Sequence, residues 1–206
     1  VLVGGLPESV NSWSDTKSFI DVSQTQQDLI ATYRDDFAKY GSRINKQRLE
    51  EVLLSVPSTL GNKFQYSQVN NNVQSSVVKN ALDLLVTARL VHKIYNTTAT
   101  GLPLKANINA KFFKTSLIDV GLVSAFLKLS LQTEMLSDKF SLDNAGGIAE
   151  QFVAQALLSS QPFFQEPEIF YWAREDKNSN AEVDYIMQHG TTIIPIEVKN
   201  GSTGTL

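Results

Sequence analysis

Residues 181–201, AEVDYIMQHGTTIIPIEVKNG, alternate like two strands and a turn, yet place Glu182 and Asp184 in one arm and Glu197 and Lys199 in the other. Side chains at i and i+2 of a strand share a face, so each pair points one way together. Pairing through the QHGT turn would let Asp184 and Glu197 face the same side, within reach of one cation. Glu150 offers a third oxygen from the helical stretch NAGGIAEQFVAQALLSS. Its neighbours at i+3, i+4 and i+7 are Val153, Ala154 and Leu157, so it shares the apolar face, with Gln151 and Gln155 elsewhere. A carboxylate placed there must be paired, protonated or bound to a cation.

Hard divalent ions such as Mg²⁺ or Mn²⁺ take carboxylate oxygens and waters, and lean on a phosphate for the rest of their shell. A lysine two residues beyond a metal-binding carboxylate can orient a water or offset charge on a phosphoryl oxygen. The pattern predicts a metal-and-phosphate site, with Asp184, Glu197 and Glu150 as oxygen ligands and Lys199 beside them. The same hairpin face could instead be solvated, with Glu197 and Lys199 forming a weak surface pair. Against this, IIPIEV is apolar on both parities, as in a central strand whose charges sit in a crevice. Pro195 then marks a bulge or a strand entry.

The elements that must hold these groups are legible in the spacing. Residues 1–24 read as a connector. TQQDLIATYRDDFAKY spaces Leu29, Tyr33, Phe37 and Tyr40 as an amphipathic helix, and NKQRLEEVLLSVP repeats the pattern with Asn45 as N-cap and Pro57 as its end. KFQYSQVNNNV gives a short helix and Ser75–Arg89 a strong one, followed by an alternating stretch broken around 96–105. Helix, short helix, helix, hairpin is the order of a winged helix-turn-helix, with Ser75–Arg89 as recognition helix and the 96–105 loop as wing. Lys79, Arg89, His92, Lys93, Lys105 and Lys111 are its cations, and Lys79, Arg89, Lys93 and Lys105 are the candidate nucleic-acid contacts, expected at DNA phosphates; winged helices also serve purely as protein contacts, the alternative reading. SLIDVGLVSAFLKLSL reads as a helix pair broken at Gly121, the 130–144 stretch as polar, Asp143 or Asn144 as the next cap, and EIFYWARE as a strand before the turn DKNSN.

The whole chain sets bounds. Its 206 residues, 42% of them apolar, suffice for one large or two small domains. No apolar run has the roughly 18–20 residues of a membrane span, which makes a cytoplasmic protein the expectation. The absence of cysteine excludes disulfides and thiolate metal sites. Net charge is −3, against binding nucleic acid by bulk electrostatics, yet residues 1–115 hold 13 Lys/Arg against 9 Asp/Glu and residues 116–206 hold 5 against 12. Such a split suggests two modules. A start at Val1 and a Gly/Ser/Thr ending suggest a piece of a longer protein. His92 and His189 have no partner at metal or triad spacing and read as structural.

A helix glutamate, then Asp184, then Glu197-Val198-Lys199 resembles the PD-(D/E)xK nuclease superfamily, with Val183 where a proline usually precedes the aspartate. The phrases GGLPESV, KFQYSQV, ALDLLVTARLVHKIY, FFKTSLIDVGLV, GGIAEQFV, YWARE, AEVDYI and IPIEVKNG resemble the C-terminal region of a bacterial and archaeal AAA+ ATPase family. The resemblance implies an α/β (α+β overall) chain: a connector over 1–24, a winged helix over 25–115 and a truncated restriction-endonuclease-like domain with a central mixed sheet over 116–206. It implies Mg²⁺ or Mn²⁺ at Glu150, Asp184 and Glu197, Lys199 as catalytic lysine, and nucleic acid as partner. Glu182 is an acid typical of the family, without an assigned role. ATP would bind only to an upstream ATPase domain, because no G-x-x-x-x-G-K-[ST] occurs here. The competing expectation is an inactive interaction and regulatory module of that ATPase.

Overall fold

The apolar periods become helices and strands in a computed structural model that describes residues 1–40, 44–128, 142–174 and 181–199. Among the described residues are seven α-helices and one five-stranded mixed sheet, the α+β architecture that the spacing predicts. Two compact units divide the chain: 1–58, 65–92 and 117–142 form one, and 59–64, 93–116 and 143–206 the other. This division does not follow a single cut at 115/116, because the hairpin that precedes the cut is built into the sheet that follows it.

The first unit is helical. Pro7–Thr16 (α1) and Phe19–Asp36 (α2) occupy much of the stretch expected as a connector. α2 begins six residues before Thr25 because the Ser18 side chain accepts from the Asp21 N–H, and Trp13 stacks on Phe19 with ring centroids 4.4 Å apart. Lys46–Ser55 (α3) starts under the expected Asn45 cap, whose side chain accepts from the Gln47 N–H at 2.9 Å. Tyr66–Val69 (α4) is the short helix, and Ser75–Thr87 (α5) packs on α3 through buried Val78, Ala81, Leu82 and Leu85. α5 ends two residues before Arg89: the Leu90 N–H reaches the Leu85 carbonyl and Arg89 turns to φ 60°.

Val120–Phe126 (α6) follows, with Gly121 inside its first turn rather than breaking it. Buried Asp119 caps this helix through the Gly121 and Leu122 N–H groups, at 2.8 and 3.2 Å, and takes the Gly5 N–H at 2.6 Å. Glycine is required at 121 because a Cβ would lie 2.7 Å from the Val3 carbonyl and the Gln26 amide. The expected cap of the next helix and the DKNSN turn lie outside the described residues or their described side chains.

The second unit is the sheet with its covering helix, Leu142–Ser159 (α7). Its strands are Val91–Thr97 (β1), Ile108–Leu117 (β2), Phe170–Ala173 (β3), Glu182–His189 (β4) and Thr192–Ile196 (β5), in the order β2-β1-β3-β4-β5. β1 and β3 are parallel; β3–β4 and β4–β5 are antiparallel. The strands flanking the loop expected as a wing therefore belong to this sheet, and among the described residues β5, expected in the centre, is an edge strand where Pro195 lacks a ladder donor at little cost. One sheet face buries Ile94, Tyr171, Ala173 and Tyr185 against Ala154, Val153 and Leu157 of α7. The other gathers Phe170, Ile186, Trp172 and Val183 around Leu104. No described helix is long and apolar enough to cross a membrane.

Candidate functional site

A β-bulge places the acids of β4. Phe170 pairs with Ile186 but Trp172 pairs with Val183, so Asp184 and Tyr185 together oppose Tyr171. An extra residue on one strand cancels the usual alternation there. Val183 and Ile186 keep to the Leu104 side, while Tyr185 and the residue opposite Ala173, Glu182, keep to the α7 side. Asp184 accepts the Val198 N–H at 2.8 Å through Oδ2. Glu150, one turn before Ala154 on α7, comes down on the same side, where the Tyr185 hydroxyl donates to its main-chain carbonyl at 2.9 Å. Of the four side chains expected to converge, Glu150 and Asp184 thus meet, joined by Glu182, which the sequence left without a role.

What they converge on is Lys114 of β2. Its side chain is 3% exposed, and its Nζ lies 3.0 Å from Glu150 Oε2, 2.5 Å from Glu182 Oε1 and 4.0 Å from Asp184 Oδ1. Nζ is also 5.5 Å from the centroid of the Tyr171 ring, a cation–π arrangement. Residues 59–64 close over the cluster: Phe64 N–H donates to the Phe113 carbonyl, and Lys63 bridges to Lys114 through the backbone. Gly61, at φ +75°, lies so close that a Cβ would sit 2.8 Å from Glu150 Oε1.

Electrostatics follow from this crowding. Burial works against the Lys114 charge, but Glu150 and Glu182 outweigh it and hold the ammonium above the usual lysine value. Burial pushes the Glu150 carboxyl up; Lys114 pulls it partly back, while Asp184 and Glu182 push it further up. One ammonium cannot fully compensate three carboxylates. Burial, then the negative charges of Glu150, Asp184 and Glu182, drive the Tyr185 hydroxyl far up, so it remains a hydrogen-bond donor.

Glu197 and Lys199 do not join the cluster. Ile196 and Val198 pack toward Tyr185 on the α7 side, so the intervening Glu197 turns away. Its side chain is 46% exposed and pairs with Lys199, itself 61% exposed, at 3.0 Å. The bulge is the physical reason: it swings Asp184 onto the Val198 side and separates it from Glu197. Gln151, expected away from the apolar face, is buried at 1% exposure.

Mg²⁺ or Mn²⁺ does not fit this arrangement. A divalent ion needs oxygens at about 2.0–2.2 Å in a nearly regular shell, and the space shared by Glu150, Glu182 and Asp184 holds an ammonium. Among the described residues no group of three or more His, Cys, Asp or Glu side chains is disposed to hold a metal. The candidate nucleic-acid cations fall in separate units: Lys79 and Arg89 are exposed in the first, whereas in the second Lys105 pairs with Glu168 and Lys93 lies 5.1 Å from the Phe113 ring centroid. Lys114 was not among the residues expected to act. Its signal is a lone lysine inside FFKTSL, a stretch whose last five residues are all buried.

A family model described as a domain of unknown function, DUF8612, matches residues 1–133, and a second, DUF4143, also described as a domain of unknown function, matches residues 145–206. No curated protein and no solved structure matches the chain.

Proposed function

We propose that the chain, which belongs to the DUF8612 family, is an interaction and regulatory module of a larger ATPase, with a nuclease-like carboxylate site closed by its own lysine. The link to an ATPase rests on the phrases that resemble the AAA+ family and on the similarity of residues 145–206 to DUF4143, a domain commonly associated with ATPase-containing proteins. The observation that carries the loss of hydrolysis is Lys114: its ammonium sits 3.0 Å from Glu150 Oε2 and 2.5 Å from Glu182 Oε1, where a catalytic cation would have to be. Glu197 and Lys199, which should position water and phosphate, face solvent instead.

The test is a cleavage assay on single- and double-stranded DNA and RNA with Mg²⁺ or Mn²⁺, comparing the wild type with Asp184→Asn and Lys199→Ala. The expected result is no cleavage above that of the variants, together with a changed ATPase rate when this region is deleted from the longer protein. Cleavage that disappears in Asp184→Asn overturns the reading.

A second activity within the same role is supported by α3, α4 and α5, which pack together and leave Ser75, Ser76, Lys79 and Asn80 of α5 exposed. That face suits phosphate contact by a winged-helix-like unit. Fluorescence anisotropy with duplex DNA tests it: Lys79→Ala should lower the salt slope by about 1, and an unchanged slope removes it.

A further inference from the structure

We propose that the hollow beside Trp13 is a docking pocket for the Phe163–Phe164 turn of a second copy of this chain, so that the protein self-associates through a knob on one molecule and a socket on another.

The knob lies between α7 and β3. The Gln165 N–H donates to the Pro162 carbonyl at 3.0 Å, closing a turn with Phe163 and Phe164 at its tip. Phe163 is 99% exposed and Phe164 72%, and their rings meet edge to face with centroids 5.5 Å apart. A single exposed apolar side chain is ordinary on a protein surface, but two adjacent phenylalanines at a loop tip form the kind of aromatic anchor on which interfaces depend. The loop is also braced at its base. The Gln161 side chain accepts the Glu168 N–H at 2.8 Å and donates to the Glu168 carbonyl at 3.0 Å, and Lys105 pairs with the Glu168 carboxylate. A loop held in this way presents its rings without the ordering cost that a slack loop meets on binding.

The socket belongs to the helical unit. Val1, Leu2, Val3, Trp13 and Phe19 line an open hollow of about 350 Å³. Its walls are fixed independently of any occupant: Trp13 stacks on Phe19, and buried Gln26 donates to the Leu2 and Val3 carbonyls at 2.9 and 3.2 Å. Ligand pockets run from roughly 300 to 1,000 Å³ and carry a few polar groups that orient the ligand. A hollow at the lower end of that range, lined by apolar side chains alone, suits an aromatic side chain better than a cofactor. Charge sets the direction of approach. Exposed Lys17 has its Nζ 5.9 Å from the Trp13 ring centroid, at the rim of the hollow, and exposed Glu166 follows the phenylalanine pair on the knob. An acid beside the rings meets a base beside the hollow, a complementarity that favours one register of docking. The chain itself thus supplies the acid-flanked aromatic segment that its hollow accepts.

Sedimentation velocity on the intact 206-residue chain, over about 1–100 μM, tests the contact. The wild type should pass from monomer to larger species as concentration rises. Replacing both rings, Phe163→Ser with Phe164→Ser, alters only exposed side chains and should weaken association about tenfold or more, as should Trp13→Ala. An equimolar mixture of these two variants should associate more than either does alone, because one keeps the socket and the other the knob. Should Trp13→Ala not fold, exposed Lys17→Glu replaces it: this change should weaken association, and Glu166→Lys in the same chain should restore it. A wild type that stays monomeric throughout overturns the proposal. So does association that survives loss of both rings, a mixture no more associated than its components, or a charge exchange that restores nothing.

Discussion

Replacing Lys114 by methionine keeps the length of the side chain and deletes its charge. At 3.0 Å and an effective dielectric constant of about 20, the attraction between Nζ and the Glu150 carboxylate is about 5 kcal/mol. The pair with Glu182 is closer, at 2.5 Å, but that side chain is 35% exposed, so solvent screens much of its share. Desolvating each buried ion costs several kcal/mol and offsets most of this gain, so the pairs add little net stability. The loss on deleting one partner is larger than that net value, because buried carboxylates remain without compensation: about 3–5 kcal/mol. Urea denaturation at pH 7 should show this loss in Lys114→Met.

Adding Glu150→Gln should restore roughly 0.5–3 kcal/mol through the coupling of neighbouring groups. Lowering the pH should also narrow the gap. Without the ammonium, the Glu150 carboxyl, already pushed up by burial and by Asp184 and Glu182, rises further, so its contribution to stability is present in acid and lost as pH rises. A loss below about 1 kcal/mol, no recovery with Glu150→Gln, or a gap that is flat between pH 5 and pH 7 would refute the reasoning.

Gly61→Ala adds a Cβ at φ +75° within 2.8 Å of Glu150 Oε1, and thermal unfolding should reveal a cost of about 1–3 kcal/mol that is smaller in a Glu150→Ala background. Asp119→Ala removes a buried cap that accepts three backbone N–H groups, and urea denaturation should show about 2–4 kcal/mol lost. Lys114 has a folded pKa above the usual lysine value, so its stabilisation is complete below that value and disappears as pH rises through the folded pKa. Melting temperatures measured from pH 9 to pH 12 should therefore fall more steeply for the wild type than for Lys114→Met.

Local patterns were legible because they depend on neighbours in sequence. Asn45 capping α3 needs only the first turn of that helix, and the placing of Glu150 over Val153, Ala154 and Leu157 needs only helical spacing. The meeting of Glu150 with Asp184 follows from a helix laid over a strand. The separation of Glu197 from Asp184 does not, because it depends on one extra residue in β4 relative to β3, and β3 is remote from the hairpin in sequence. Lys114 was hidden for a similar reason. It reaches Glu150 across 36 residues, and only the joining of the β1–β2 hairpin to β3 brings it there. Gly121 looked like a helix breaker because composition alone does not reveal the Asp119 cap or the close approach of Val3.

Everything functional in this account depends on which cation stands among the acids at positions 150, 182 and 184. Diffraction from wild-type crystals soaked in Mn²⁺ and measured at the manganese absorption edge answers this directly. The account predicts the Lys114 ammonium within hydrogen-bond distance of Glu150 and Glu182, with no anomalous peak between them. An anomalous peak ligated by Glu150 and Asp184, with Lys114 swung out, would contradict it.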